Sequence, residues 1–389
     1  MPFGIHGDTG ELFPGLDDTS INSFVTTARD ESDSDLRDYL ELKKSEKDAH
    51  RGVVGYIRDP NNLHLTGWGV IFGPSADDCV KEALGPLLKH REDRVGDARL
   101  CRTFEGDLAP LKGESAEAWL GRQKPRVRMD SVNPSLGVPY YIMIVAPPDE
   151  ISFEFQYSLD IFWAVGRIWF PNADEFRQHA DSVVAYETMP AKEVPTSRQM
   201  AVFAPCLPLD DATQLFSRQV AQTLVSGAEN VPRAGEPPQF AVQPFIGDSA
   251  TKDTLGRIWS GGIENGPAAL LFSGGHGAWF RPNETNQQAE LQGALVCQDR
   301  KPGPLKPDYF FAASDLAELP AGGKMHGMIH FMFACYAGGW PTADTYSRYG
   351  KAPAVLADRP MMARLPQKLP SHRDGGALAV IAHVDRAWG

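Results

Sequence analysis

Ile329-His330-Phe331-Met332-Phe333-Ala334-Cys335-Tyr336-Ala337-Gly338-Gly339 is the stretch on which the reading of the chain turns. A non-polar run around one histidine suits a strand buried on both faces, the grammar of a parallel sheet. The run reaches a cysteine and breaks at two glycines, which free the backbone for a tight turn. In open α/β sheets chemistry sits just beyond the carboxyl ends of the strands, which is where this reading puts Cys335.

Upstream, Ala268-Ala269-Leu270-Leu271-Phe272 followed by Ser273-Gly274-Gly275-His276-Gly277 has the same form. The 59 residues from His276 to Cys335 leave room for a crossover and a loop. Two neighbouring parallel strands would then present an imidazole and a thiol at one edge of one sheet. A thiol of ordinary pKa, about 8.5, is mostly protonated at neutral pH, and a nearby imidazole activates it as a nucleophile. Taken singly, a cysteine in an apolar strand is more often packing, and Gly-His-Gly more often a turn. Each following its own strand, in this order, they point to a catalytic dyad.

Ser273-Gly274-Gly275-His276-Gly277 and Phe333-Ala334-Cys335-Tyr336-Ala337-Gly338 together resemble the caspase-like cysteine peptidases: caspases, metacaspases, and above all gingipain-like and CHAT-type proteases. The resemblance implies an α/β fold, a caspase/gingipain-like three-layer sandwich with a mostly parallel sheet and two subdomains. It implies a cysteine endopeptidase without a cofactor, with His276 as general base or acid and Cys335 as nucleophile. The backbone N–H groups of Gly277 and Cys335 would form the oxyanion hole. Metacaspases carry an Asp two residues before the nucleophile and caspases a Gln; here that place is Phe333. Any charge selection therefore comes from elsewhere.

At 389 residues the chain is long enough for two domains or subdomains with sizeable cores. A hydrophobic content of 42% and a charged content of 23% are ordinary for a soluble globular protein. A net charge of −12 argues against nucleic acid as the main partner. Five scattered cysteines (Cys79, Cys101, Cys206, Cys297, Cys335) with no CxxC pair indicate neither a disulfide framework nor a zinc knuckle. The start, Met1 to Asp8, lacks a basic and then apolar leader, and no apolar run reaches 18 residues. These features predict no membrane span and a reducing cytoplasm, where a catalytic thiol stays usable.

Residues 1–50 read as a polar N-terminal arm, with a charged helix from Leu36 to Lys47. Residues 51–195 read as a gingipain-like α/β subdomain. Its predicted strands are Val53–Ile57, Trp68–Phe72 and Pro139–Ala146, with helices over Ala76–His90 and Asn172–Glu187. The section Asp93 to Gly137 reads as loop with one short helix. Residues 196–389 read as the caspase-like catalytic subdomain. There strands Met200–Ala204 and Phe240–Ile246 alternate with helices Asp210–Leu224 and Thr251–Trp259, which predicts right-handed crossovers on a parallel sheet. Asp308–Leu319 resembles the short helix that precedes the Cys strand in CHAT-type and gingipain-like proteases, and Gly375 to Gly389 supplies one more strand.

By the gingipain resemblance, Asp160 sits in the pocket for the residue before the cut and selects Arg or Lys, a sound use of a carboxylate facing a guanidinium. Trp388 matches the aromatic that flanks that pocket, and Asp385 is a competing pocket carboxylate. The family adds a further strand beyond Gly389. His326 and His330 share a strand face, but no third metal ligand is evident, so they read as strand-edge and core histidines. The expected partner is a protein or peptide substrate, with a regulatory partner possible. The rival from another class is a caspase-fold scaffold or regulator in a bacterial defence or stress system. A metal-dependent hydrolase is a third reading.

Overall fold

The computed structural model describes residues 4–12, 52–55, 57–124, 126–229, 240–282, 285–319, 324–344 and 353–387. Most of the expected polar arm, its Leu36–Lys47 helix and Trp388 lie outside the described residues. The chain divides into two compact units, residues 17–176 and residues 1–16 with 177–389. A first short strand, β1 (Gly4–His6), belongs to the second of these.

The unit of residues 17–176 holds β2 (Trp68–Phe72), β3 (Cys101–Phe104), β4 (Tyr141–Val145) and β5 (Ala164–Ile168). They form one sheet in the order β3-β2-β4-β5, every pair parallel. Helix Asp78–Val95 starts at Asp77, whose carboxylate accepts the Val80 amide, and stops at Gly96 in the left-handed conformation. Val80, Ala83, Leu84 and Leu87 of its predicted stripe are buried. Trp119, Phe104, Ile142, Ile144 and Phe155 form the core on the sheet. Two expectations need correcting. The section expected as loop contains the strand β3, whose only buried residue is Phe104, so its apolar signal is weak. The Val53–Ile57 run makes an isolated bridge, Val53 to Val132, among the described residues.

In the second unit the main strands are β6 (Ser197–Ala204), β7 (Ala241–Ile246) and β8 (Ala268–Gly274). After β8 come the short strands β9 (Gly277–Trp279), β10 (Leu295–Val296) and β11 (Phe310–Phe311). The chain then continues through β12 (Ile329–Phe333), β13 (Gly339–Trp340), β14 (Met361–Met362) and β15 (Ala379–Ala382). The main sheet has the order β15-β12-β8-β6-β7, all parallel, while β1, β9, β10 and β11 make a small mixed sheet beside it.

Alternation along each strand sends residues to opposite faces. Ala201, Phe203, Leu271 and Met332 pack on Leu255, Ile258 and Trp259 of helix Lys252–Trp259, and on Leu365 and Leu369. Val202, Ala204, Phe272 and Phe333 face the other way, against Ala212, Phe216 and Ala221. Burying one such large apolar side chain stabilises the fold by roughly 1.5–3 kcal/mol. This unit is thus three layers deep. The helix predicted over Asp210–Leu224 is helical throughout but not uniform: Asp211–Leu215 is α, Phe216–Ala221 is wound as a π-helix, and Gln222–Glu229 is α again. That turn delivers Phe216 between Phe272 and Phe333, with ring centroids 6.0 and 5.5 Å away. A β carbon on Gly274 would lie 1.9 Å from the Phe216 ring, so the close approach requires glycine there.

The expected shared strand face is not formed: His330 lies on β12, but His326 is in the turn before it, and each has an ordinary partner. His326 Nε2 donates to the Ser182 carbonyl at 2.8 Å, and His330 Nε2 lies 2.8 Å from Ser273 Oγ, both of the latter groups buried. Burial pushes the His330 pKa down to about 3, so the ring is neutral.

Two outcomes are expected. Gly274→Ala overpacks Phe216 and destabilises by about 1–3 kcal/mol, read as a melting temperature lower by about 2–10 °C. For His330, a free histidine titrates near 6.5, so as pH falls the unfolded chain gains its proton first. Its contribution to stability is complete above that pH and is lost between about 6.5 and 3. Urea midpoints against pH should therefore fall more steeply for the parent than for His330→Leu, which is weaker at pH 7 by about 1–3 kcal/mol because Ser273 loses its partner.

Candidate active site

In the main sheet β6, its first strand in the chain, lies between β7 and β8, so the connections leaving β6 and β8 diverge. Such a switch point opens a crevice at the carboxyl ends of the two strands. Asp210 follows β6 and His276 follows β8. A cavity of about 10 Å³, the size of one water, lies there, lined by Phe203, Pro205, Ser273, Gly275 and His276.

Asp210 is the N-cap of helix Asp211–Leu215. One carboxylate oxygen accepts the Thr213 amide at 3.2 Å; the other lies 2.6 Å from Nε2 of His276. Both residues are 1% exposed. Burial pushes the Asp210 carboxyl up, but the His276 hydrogen bond and charge, the Thr213 amide and the charge of Arg300 outweigh it. The group is held below the usual carboxylate range and stays ionised. An ionised carboxylate only accepts, so Nε2 carries a proton and the lone pair of the neutral ring is on Nδ1. The preceding Leu209 is left at φ 58° with 97% of its surface exposed, strain that accompanies the turn delivering Asp210.

Cys335 follows β12, the strand paired with β8 so that Phe333 stands opposite Gly274. The Gly275 amide donates to the Phe333 carbonyl at 3.1 Å. A β carbon on Gly277 would fall 1.9 Å from the carbonyl oxygen of Cys335. The loops carrying His276 and Cys335 therefore adjoin at one edge of the sheet. The thiol is fully buried, and its sulfur accepts the Ala387 amide at 3.3 Å.

Of the other expected residues, Asp385 lies against the same loop, 6% exposed, its carbonyl accepting the Tyr336 amide at 2.7 Å. Asp160, in the unit of residues 17–176, is exposed at the end of helix Phe153–Leu159, where its carboxylate accepts the Val165 amide at 3.3 Å. Trp388 lies outside the described residues. Asp210 is the residue that sequence reading missed. It reads as one of two acids opening a helix, and only its place after the strand next to the His276 strand could have marked it. Among the described residues no helix is long and apolar enough to cross a membrane.

No known family pattern matches the chain, and no curated protein sequence matches it. Solved structures do. One described only as a protease superposes with a TM-score of 0.50 at 13% identity, over 83% of this chain and 60% of that one. The Arg-specific cysteine proteinase gingipain R gives 0.48 at 12%, over 82% and 62%. The complex of the Porphyromonas gingivalis gingipain pro- and mature domains gives 0.45 at 11%, over 81% and 63%. This chain therefore spans about three-fifths of those it resembles. At such identities the likeness is one of fold. The fold class is the one expected, α/β with mostly parallel sheets, in two compact units.

Asp210→Asn replaces the acceptor by a group that can also donate. Nitrogen NMR of the imidazole should show the His276 proton moving from Nε2 to Nδ1, with a stability loss of about 1–3 kcal/mol in chemical denaturation. An unchanged tautomer would show that the 2.6 Å contact does not orient the ring.

Proposed function

We propose that the chain is a cysteine endopeptidase in which Cys335 is the nucleophile, His276 the acid–base group, and Asp210 the residue that positions His276. The observation that carries this reading is the buried Asp210–His276 bond on a loop adjoining that of Cys335, at the carboxyl edge of the sheet. Sγ gives its proton to Nδ1 and forms a C–S bond with the peptide carbonyl carbon. The oxyanion develops toward the amides of Gly277 and Cys335. His276 then protonates the leaving amine as the C–N bond breaks, leaving a thioester. Water attacks the thioester, giving up a proton to His276, and the acid product departs as the thiol is restored.

The substrate is a protein or peptide, and the residue before the cut is Arg or Lys. Asp385 supports that preference through its place beside the Cys335 loop, and Asp160 is the second candidate. All five cysteines are free thiols, which suits a reducing cytoplasm. A scaffold or regulator is the second reading, favoured by the complete burial of the Cys335 thiol.

Reporter peptides varied at the residue before the cut test the proposal. Cys335→Ala and His276→Ala should each cut kcat/KM by about a thousandfold or more, and Asp210→Asn by at least about a hundredfold, mostly in kcat. Asp385→Asn should erode the preference for Arg and Lys; an effect confined to Asp160→Asn moves that role to Asp160. Turnover that survives Cys335→Ala, or is absent from parent and variants alike, overturns the peptidase reading.

A further inference from the structure

The segment that follows β15 is bound along the Cys335 turn by its backbone. The Gly338 amide donates to the His383 carbonyl at 2.7 Å, Asp385 to Gly339 at 3.0 Å, and Tyr336 to Asp385 at 2.7 Å. The last bond of the series is to the sulfur itself, from the Ala387 amide at 3.3 Å, with the Ala387 carbonyl 3.7 Å away. Packing is equally close: a β carbon on Gly338 would lie 2.9 Å from the Ala382 carbonyl. Arg386 is pinned to Asp344 by an ion pair whose carboxylate side chain is 1% exposed. Cys335, Tyr336 and Ala387 are all fully buried.

We propose that His383–Ala387 is a strap that sheathes the Cys335 thiol and must lift before the thiol reacts; this rests on reading Cys335 as the nucleophile. Attack needs a carbonyl carbon within about 3–3.5 Å of the sulfur. The peptide group of Ala387 occupies that shell, so a substrate peptide and the seated strap exclude each other. The strap is also built to release. Tyr336 and Asp385, donor and acceptor of one of its bonds, both hold left-handed backbone (φ 59° and 68°), which non-glycine residues rarely adopt and which lifting relieves. The Arg386–Asp344 pair is a side-chain anchor that opposes release, and breaking one partner of a buried pair favours opening.

Per-cysteine alkylation of the full-length protein by iodoacetamide, followed by peptide mass spectrometry, tests this. Cys79 is exposed and Cys297 is fully buried in a core cluster that includes none of residues 383–387, so they report free reaction and general unfolding. In the parent, Cys335 should react as slowly as Cys297. In Arg386→Met and in Asp344→Asn it should react at least about tenfold faster with Cys297 unchanged, as for a local opening made easier. The strap is overturned if parent Cys335 reacts as fast as Cys79, if both variants match the parent, or if Cys335 and Cys297 accelerate together. Peptide turnover of the same samples keeps the two proposals apart. Faster alkylation without turnover leaves the strap standing and removes the peptidase; Cys335-dependent turnover indifferent to both variants removes the strap and keeps the peptidase.

Discussion

The 2.6 Å bond between Asp210 and His276 is the constraint around which the unit of residues 1–16 and 177–389 is arranged. Two such groups 1% exposed are costly to bury unless each satisfies the other, so wherever this fold forms, the bond must form with it. Making it demands that the strands carrying them be neighbours, that the connections diverge there, and that the turn before Asp210 accept a strained Leu209. The π-helical turn at Phe216–Ala221 and the bare Gly274 serve the same edge, since they let the helix after Asp210 press an aromatic ring onto the sheet.

Around the thiol the balance differs. Backbone hydrogen bonds and an ion pair hold the segment that covers it, in addition to apolar packing. Hydrogen bonds exchange with water at small net cost, whereas the Phe203–Leu271–Trp259 core behind the sheet does not. A rigid sheet with a releasable cover is what this division produces, and it separates the stability of the fold from the reactivity of the sulfur.

A similar contrast separates two of the buried histidines. His330 sits five residues before Cys335, yet its environment is apolar apart from Ser273, and its ring is held neutral. His276 has a carboxylate instead. One imidazole is made inert by desolvation and another is given a fixed tautomer by a charge, and nothing about histidine itself separates them.

By itself the sequence determined the strands and their burial. The runs ending at Phe272 and Phe333 have no polar face, so they had to be central and parallel, and glycines at 274, 275, 338 and 339 had to end them in turns. That placed His276 and Cys335 at one edge before any coordinates. The edge strand β3 was not legible, because a strand that buries only Phe104 carries no periodic signal. Asp210 and the His383–Ala387 strap were decided by tertiary structure alone. Each is joined to its target by a bond across many residues, 66 for Asp210 to His276 and 52 for Ala387 to Cys335. A capping aspartate and an extended backbone look the same in sequence wherever they dock; which partner they reach is fixed by sheet order and by the direction in which the chain leaves each strand.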